Sequence, residues 1–189
     1  MPYDPQHHQR HAMRLPHYDY TQAGAYFVTI VTHQRELLFD DPSVRRVIET
    51  LWQGISKHLP TIALDEYVVM PNHLHGVVWI MGEGRGEAFA PDLPPASIQA
   101  VFGNQMDLDS SANASPLRAV SGSLSAVIGN FKSITTRRLN QMRRTPGAVV
   151  WQRSFYDRVI RSERELTAIR QYIRDNPANW ALDQENPQL

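Results

Sequence analysis

The chain contains no cysteine. That excludes disulfides, thiolate zinc sites and cysteine nucleophiles, and it suits a reducing cytoplasm, the location expected for this protein. No stretch approaches the roughly 20 consecutive apolar residues that a membrane helix needs. The opening Met1-Pro2-Tyr3-Asp4-Pro5 carries no apolar segment behind a basic start, so neither a secretory signal nor a membrane partner is expected. There is no visible internal repeat, which sets aside solenoids and arrays. Net charge is also missing: 19 Lys and Arg balance 19 Asp and Glu. Taken as a total, that argues against a polyanion as partner.

What is present alters that last point. The 189 residues, 42% hydrophobic, suffice for one domain with a real core. Between 132 and 174 lie eleven bases, ten of them arginine, against three acids, a local balance of +8. Arginine suits bidentate contact with phosphate, so the stripe reads either as a nucleic-acid footprint or as a solvated helix face.

Along the chain, residues 1–20 form a polar, His-rich arm. Tyr26–Val31 is rich in β-formers and reads as a strand. Asp41-Pro42 opens a helix whose apolar stripe, Val44, Val47, Ile48, Leu51, Trp52, Ile55 and Leu59, ends at Pro60. Ile62–Met70 and His73–Met81 are strands joined by the turn Pro71-Asn72, an antiparallel hairpin. Gly, Pro, Ser and Asn dominate 82–118, an insert. A helix spans 121–144, with Leu124, Val127, Ile128, Phe131, Ile134 and Leu139 inward. The stretch 149–160 holds a fourth strand. Ser162-Glu163-Arg164-Glu165 is a capping box for a last helix, with Leu166, Ile169 and Ile173 inward and Pro177 as its stop. The order predicts an α+β class: a ferredoxin-like βαββαβ antiparallel sheet with helices on one face plus a C-terminal catalytic helix. The domain should run over 21–181, with 182–189 a tail.

Two constellations carry chemistry. His73 and His75 flank Leu74 at the start of a strand, so both imidazoles project from one face. They are either a chelating pair for one divalent ion or two hydrogen-bonding histidines at a strand end. Tyr172 and Asn176 are four apart, hence stacked on one helix face. A phenol there can act as a nucleophile and an amide oxygen can complete a hard-cation site; the alternative is a packing tyrosine and a helix-terminal asparagine. Together, a chelating pair, an oxygen ligand, a tyrosine and an arginine stripe suit phosphodiester chemistry.

At these residues the chain resembles a known family. Tyr67-Val68-Val69-Met70-Pro71-Asn72-His73-Leu74-His75-Gly76 is similar to the signature of the single-tyrosine His-hydrophobic-His transposases. Trp151-Gln152-Arg153-Ser154-Phe155-Tyr156-Asp157-Arg158-Val159-Ile160-Arg161 resembles the segment that the branch associated with repetitive extragenic palindromes (REPs) carries before its last helix. Tyr172-Ile173-Arg174-Asp175-Asn176-Pro177 is similar to that family's tyrosine helix. Arg14–Tyr20 and Gly24–Thr29 resemble its opening.

The resemblance implies that His73, His75 and Asn176 bind Mg²⁺ or Mn²⁺. It implies that Tyr172 is the nucleophile of a transposase that cleaves and rejoins DNA through a 5′-phosphotyrosine. The implied partner is single-stranded DNA carrying REP-like hairpins, handled by a monomer or a homodimer. Tyr156 lies in a matching motif and rivals Tyr172 as nucleophile, but its position is Trp in some relatives, which places the chemistry on Tyr172. Arg153, Arg158 and Arg161 are assigned to DNA phosphates, with Lys132, Arg137, Arg138 and the arm residue Arg14. Two other readings stand beside this one: a non-catalytic DNA-binding module of the same fold, and a metal-dependent hydrolase that uses water.

Overall fold

The computed structural model describes residues 18–81, 122–183 and 185–187; the predicted insert and most of the N-terminal arm, Arg14 included, lie outside them. Four strands, β1 (Gly24–Val31), β2 (Ile62–Val69), β3 (His73–Ile80) and β4 (Tyr156–Ile160), form one antiparallel sheet in the order β2-β3-β1-β4. The helices are α1 (Pro42–Gln53), the short α2 (Ile55–His58), α3 (Leu124–Arg143) and α4 (Glu163–Asp175), followed by a 3₁₀ turn over Asn176–Leu182. This is the expected βαββαβ sheet with a helix added at its C-terminal end. No helix among the described residues is long and apolar enough to cross a membrane.

Strand alternation separates two cores. Tyr26, Val28, Ile30, Leu74 and Val78 face α1 and α3, whose Ile48, Trp52, Leu124, Ile128 and Phe131 cover them. Ala25, Phe27, Val77, Trp79 and Ile160 face the other way, under Leu166 and Ile173 of α4. Gly76 sits directly above Trp52. A Cβ added there would lie 2.6 Å from Trp52 Cζ2, so only glycine permits this approach of indole to sheet.

Several boundaries differ from the sequence expectation, each for a local reason. The first helix breaks at Gly54, a weak helix former, so α2 is a separate turn. The helix expected from 121 begins at Leu124, because Gly122 has φ +81° and Ser123 caps Ala126 N–H. Within α3, Thr135 is buried while Ile134 is only half-buried. Thr135 is tolerated there because its hydroxyl donates to Phe131 O at 2.7 Å and accepts from Trp151 Nε1 at 2.8 Å. Ser162 caps α4 as expected, yet Glu165 accepts from the N–H of Arg161 rather than that of the cap residue.

Register shifts between Leu64 and Tyr67 on β2. Leu64 and Tyr67 both pack on the α1/α3 side, so Asp65 and Glu66 between them absorb an extra residue. Both carboxylates then reach α4. Asp65 takes Arg170 in a fork, at 2.9 and 2.6 Å, and Glu66 takes Arg174 at 2.8 Å. The bulge thus turns two successive residues into a clamp for the helix that carries Tyr172.

Candidate metal and nucleophile site

The α4-facing side of β3 brings His73 and His75 together, as alternation requires. Both are buried, and their Nε2 atoms lie 3.0 Å apart. The opposite nitrogens are held. Asn72 donates through Nδ2 to the carbonyls of Arg35 and Glu185, which turns its Oδ1 toward His73 Nδ1 at 2.8 Å. His73 therefore carries its proton on Nδ1 and leaves a lone pair on Nε2. His75 Nδ1 meets the hydroxyl of Thr29, its register neighbour on β1, at 2.8 Å. A hydroxyl can accept or donate, and with His75 donating to it both Nε2 lone pairs face one point. Burial lowers the pKa of both imidazoles. For His75 the value falls to about 3, with the neighbouring His73 adding to the effect; for His73 the charges of Asp183 and Glu185 pull upward against burial. The pair is neutral at physiological pH, the form that binds metal.

Oxygen donors approach from α4 and from the segment after it. Asn176 is buried, and among the described residues its Oδ1 has no hydrogen-bond partner, an unmet acceptor one helical turn from Tyr172. Asp183 Oδ2 lies 3.8 Å from His73 Nε2, and one ligand atom each from His73, His75 and Asp183 fall within 4.8 Å of one another. Sequence pattern alone does not single out Asp183. It follows Pro177 by six residues in a segment with no periodicity, and its only signal is an acid close behind Trp180. That segment is tied down: Arg35 Nε donates to Glu185 Oε2 at 2.7 Å, Asn72 holds Glu185 O, and the Trp180 ring lies 5.9 Å from His73.

These residues fit a divalent ion. Two nitrogens bound at right angles with bonds of about 2.1 Å are about 3.0 Å apart, the spacing found here. Neutral imidazoles with a carboxylate are a mixed nitrogen and oxygen donor set for a divalent metal ion.

Tyr172 stands at the mouth of this site. Its hydroxyl is 3.3 Å from His75 Nε2 and the residue is 48% exposed. Burial raises its pKa, as does the charge of Asp183, while hydrogen bonding from Asn176 works in the opposite direction. A cation at the histidines would reverse the sign of the local field and favour the phenolate. Tyr156 lies on the same sheet face, in ring contact with Phe27 at 6.3 Å, and Phe27 in turn stacks on His75 at 5.4 Å. The two candidate tyrosines share a neighbour, but it is the Tyr172 hydroxyl that reaches a histidine nitrogen.

The arginine stripe divides. Arg170 and Arg174 are committed to Asp65 and Glu66, and Arg158 pairs with Glu165 at 2.7 Å. Lys132 donates to the carbonyls of Gln152 and Ser154 and lies over the Phe155 ring. Arg137, Arg138, Arg153 and Arg161 are exposed. Lys132, Arg137, Arg144 and Arg153 line an open groove of about 920 Å³ between α3 and residues 146–153. That groove is on the α3 side of the sheet, away from the face bearing the histidines.

No protein-family model matches the chain. It is 30% identical over 186 residues to an uncharacterized protein of Haemophilus influenzae, covering 94% of this chain and 93% of that one. Among solved structures it is similar to a REP-associated tyrosine transposase bound to a REP hairpin. The TM-score is 0.54 at 17% identity, over 90% of this chain and 76% of that one, a likeness of fold.

Proposed function

From a chain that belongs to one family with the Haemophilus influenzae protein and has the fold of a REP-associated tyrosine transposase, we propose a metal-dependent single-strand DNA transposase with Tyr172 as its nucleophile. One observation carries the reading: the Tyr172 hydroxyl lies 3.3 Å from His75 Nε2, whose own neighbour at 3.0 Å is His73 Nε2. A structural tyrosine does not need a buried pair of neutral imidazoles at its hydroxyl.

His73, His75, Asn176 and Asp183 would hold Mg²⁺ or Mn²⁺. When bound, the ion polarises the scissile phosphate and offsets charge on the leaving oxygen. The remaining chemistry belongs to the chain. Tyr172 Oη attacks phosphorus, the bond to the 3′ oxygen breaks, and the proton given up by the phenol balances the one taken up by the leaving oxygen, so that a 5′-phosphotyrosine and a free 3′-OH result. Attack by a 3′-OH on that linkage restores a phosphodiester and frees the phenol, so rejoining needs no nucleotide cofactor. Thr29 and Asn72 orient the imidazoles; Asp65 and Glu66 hold α4 at the sheet. The solved relative in fold is bound to a REP hairpin, and a single strand with such a hairpin is the substrate class we assign here. Arg153, Arg161, Arg137, Arg138, Arg158, Lys132 and Arg14 are its proposed phosphate contacts.

Covalent trapping tests this. Labelled single-stranded hairpin DNA with Mn²⁺ or Mg²⁺ should yield an adduct stable to denaturing electrophoresis, lost in Tyr172→Phe and in the His73→Ala/His75→Ala double variant. Binding without an adduct would assign a non-catalytic module. Cleavage that survives Tyr172→Phe would assign a water-dependent hydrolase, and loss through Tyr156→Phe instead would move the nucleophile.

A further inference from the structure

We infer that Tyr156 is a nucleobase-stacking platform, positioning the strand beside Tyr172 rather than reacting with it. The inference rests on the single-strand DNA reading above and deepens it. Tyr156 opens β4, an edge strand of the sheet, and is 44% exposed. Along β4, Tyr156, Arg158 and Ile160 share the α4-facing side, since Ile160 packs under α4 while Val159 packs against the opposite core.

The position of Tyr156 is what gives its exposure meaning, because single exposed aromatics are common. Phe27 is a buried hub on this face: it stacks on His75 at 27° between ring planes and meets both Tyr172 and Tyr156 edge-on, at 6.0 and 6.3 Å. Phe27 thus joins the proposed nucleophile, a candidate metal-binding imidazole and an exposed tyrosine in one cluster of four rings. The contact with Phe27 is T-shaped and not stacked, and close to half of Tyr156 stays open to a ligand. Next to it on the same strand face is Arg158, two residues along, whose 60% exposed side chain would exchange its Glu165 partner for a phosphate. An exposed aromatic face beside a cation, adjoining a phosphodiester site, is a combination that binds single strands: the base stacks, the phosphate is neutralised, and every base has a π-face to offer. The ligand class is therefore a nucleobase next to the scissile phosphate, taken with little preference for its identity.

The test compares two labelled REP-like hairpin strands at fixed salt and without divalent ion, so that no cleavage intervenes: one with a 15-nucleotide thymidine tail, the thymidine strand, and one with an abasic tail of the same length, the abasic strand. The abasic tail has the phosphates but no bases. Tyr156→Ala and Tyr156→Leu should each weaken binding of the thymidine strand roughly 5- to 150-fold, the range of one lost base stack. Both should leave the abasic strand within about twofold. Tyr156→Phe and Tyr156→Trp, which keep a ring, should bind the thymidine strand like the wild type. Leucine guards against a folding artefact, since it keeps apolar bulk on Phe27. Retained affinity in Tyr156→Leu would make the residue simple packing and overturn the inference. Equal losses on the two strands, or no loss on either, would overturn it as well. A wild-type protein that binds neither strand would instead remove the single-strand DNA reading, and the platform with it.

Discussion

Removing the Arg170 guanidinium is the sharpest test of how the helix that carries Tyr172 is held. Asp65 sits on the β2 bulge, accepts from Arg170 Nε and Nη2, and also accepts from Trp79 Nε1 at 3.1 Å and Glu66 N–H at 2.7 Å. Its side chain is 11% exposed and that of Arg170 27%. Arg170→Ala leaves a mostly buried carboxylate with two weaker donors. Hydrogen bonds to charged groups contribute about 1.5–3 kcal/mol each, and breaking a fully buried pair costs about 3–5 kcal/mol. With part of the pair in water, a loss of about 2 kcal/mol is expected, or about 4–8 °C in Tm for a chain of this size. Burial pushes the Asp65 pKa up, but Arg170 with the Glu66 and Trp79 donors outweighs it, and the group stays below its ordinary value. Stability from this depressed carboxyl is present above the unfolded pKa of about 3.9 and is lost as pH falls through the lower folded value. The gap between wild type and Arg170→Ala should therefore hold constant from about pH 5 to 7 and narrow below about pH 4. Denaturant titration across that range reads it directly. A variant that melts with the wild type would refute the clamp. So would strict additivity of Asp65→Ala and Arg170→Ala, because paired residues should couple by about 1 kcal/mol or more.

Two further outcomes follow from the site and its underside. Gly76→Ala would set a Cβ 2.6 Å from Trp52 Cζ2, and Trp52 is fully buried. Overpacking of this kind should cost about 3 kcal/mol and lower Tm by about 6–12 °C, with partial recovery on adding Trp52→Leu; thermal melts check both. Asp183→Ala should weaken Mn²⁺ binding about 10-fold or more by calorimetry, as losses in or around metal shells do. Unchanged affinity would restrict the ligands to His73, His75 and Asn176.

Much of this site was legible because it depends on short-range geometry. Two histidines separated by one residue on a strand must share a face, and Tyr172 and Asn176 four apart on a helix must stack. Pro71-Asn72 between two apolar runs announced the hairpin that sets His73 at a strand start. What the sequence withheld depends on long-range closure. Arg170 and Arg174 counted toward a basic stripe because their acids, Asp65 and Glu66, lie over 100 residues earlier. Strict alternation along β2 would have sent Asp65 and Glu66 to opposite faces, and the bulge that brings both to α4 leaves no mark in an apolar pattern. Asp183 was hidden for the same reason: its place depends on Arg35 and Asn72 anchoring Glu185, contacts that no local period reports.

The division of the sheet explains how one short strand serves stability and chemistry together. On β3, Leu74, Gly76 and Val78 build the large core with α1 and α3, and that core contains no ligand atom. His73 and His75, interleaved with them, inherit its rigidity through the same backbone. The opposing half of the site comes from a different source. Tyr172 and Asn176 arrive on an amphipathic helix and the turn after it, over a smaller core of Phe27, Val77, Trp79, Leu166 and Ile173. A small apolar contact does little to fix rotation of a helix about its axis. The bidentate Arg170–Asp65 pair and the Arg174–Glu66 pair one turn on do so, because each is directional. The aim of Tyr172, the proposed nucleophile, at the histidines thus depends on ion pairs at the far edge of the sheet, on β2, while the histidines' own placement depends on packing. Perturbing the clamp should misdirect Tyr172 with His73 and His75 on β3 in place, whereas perturbing the Gly76–Trp52 contact should move the histidines with α4 still docked.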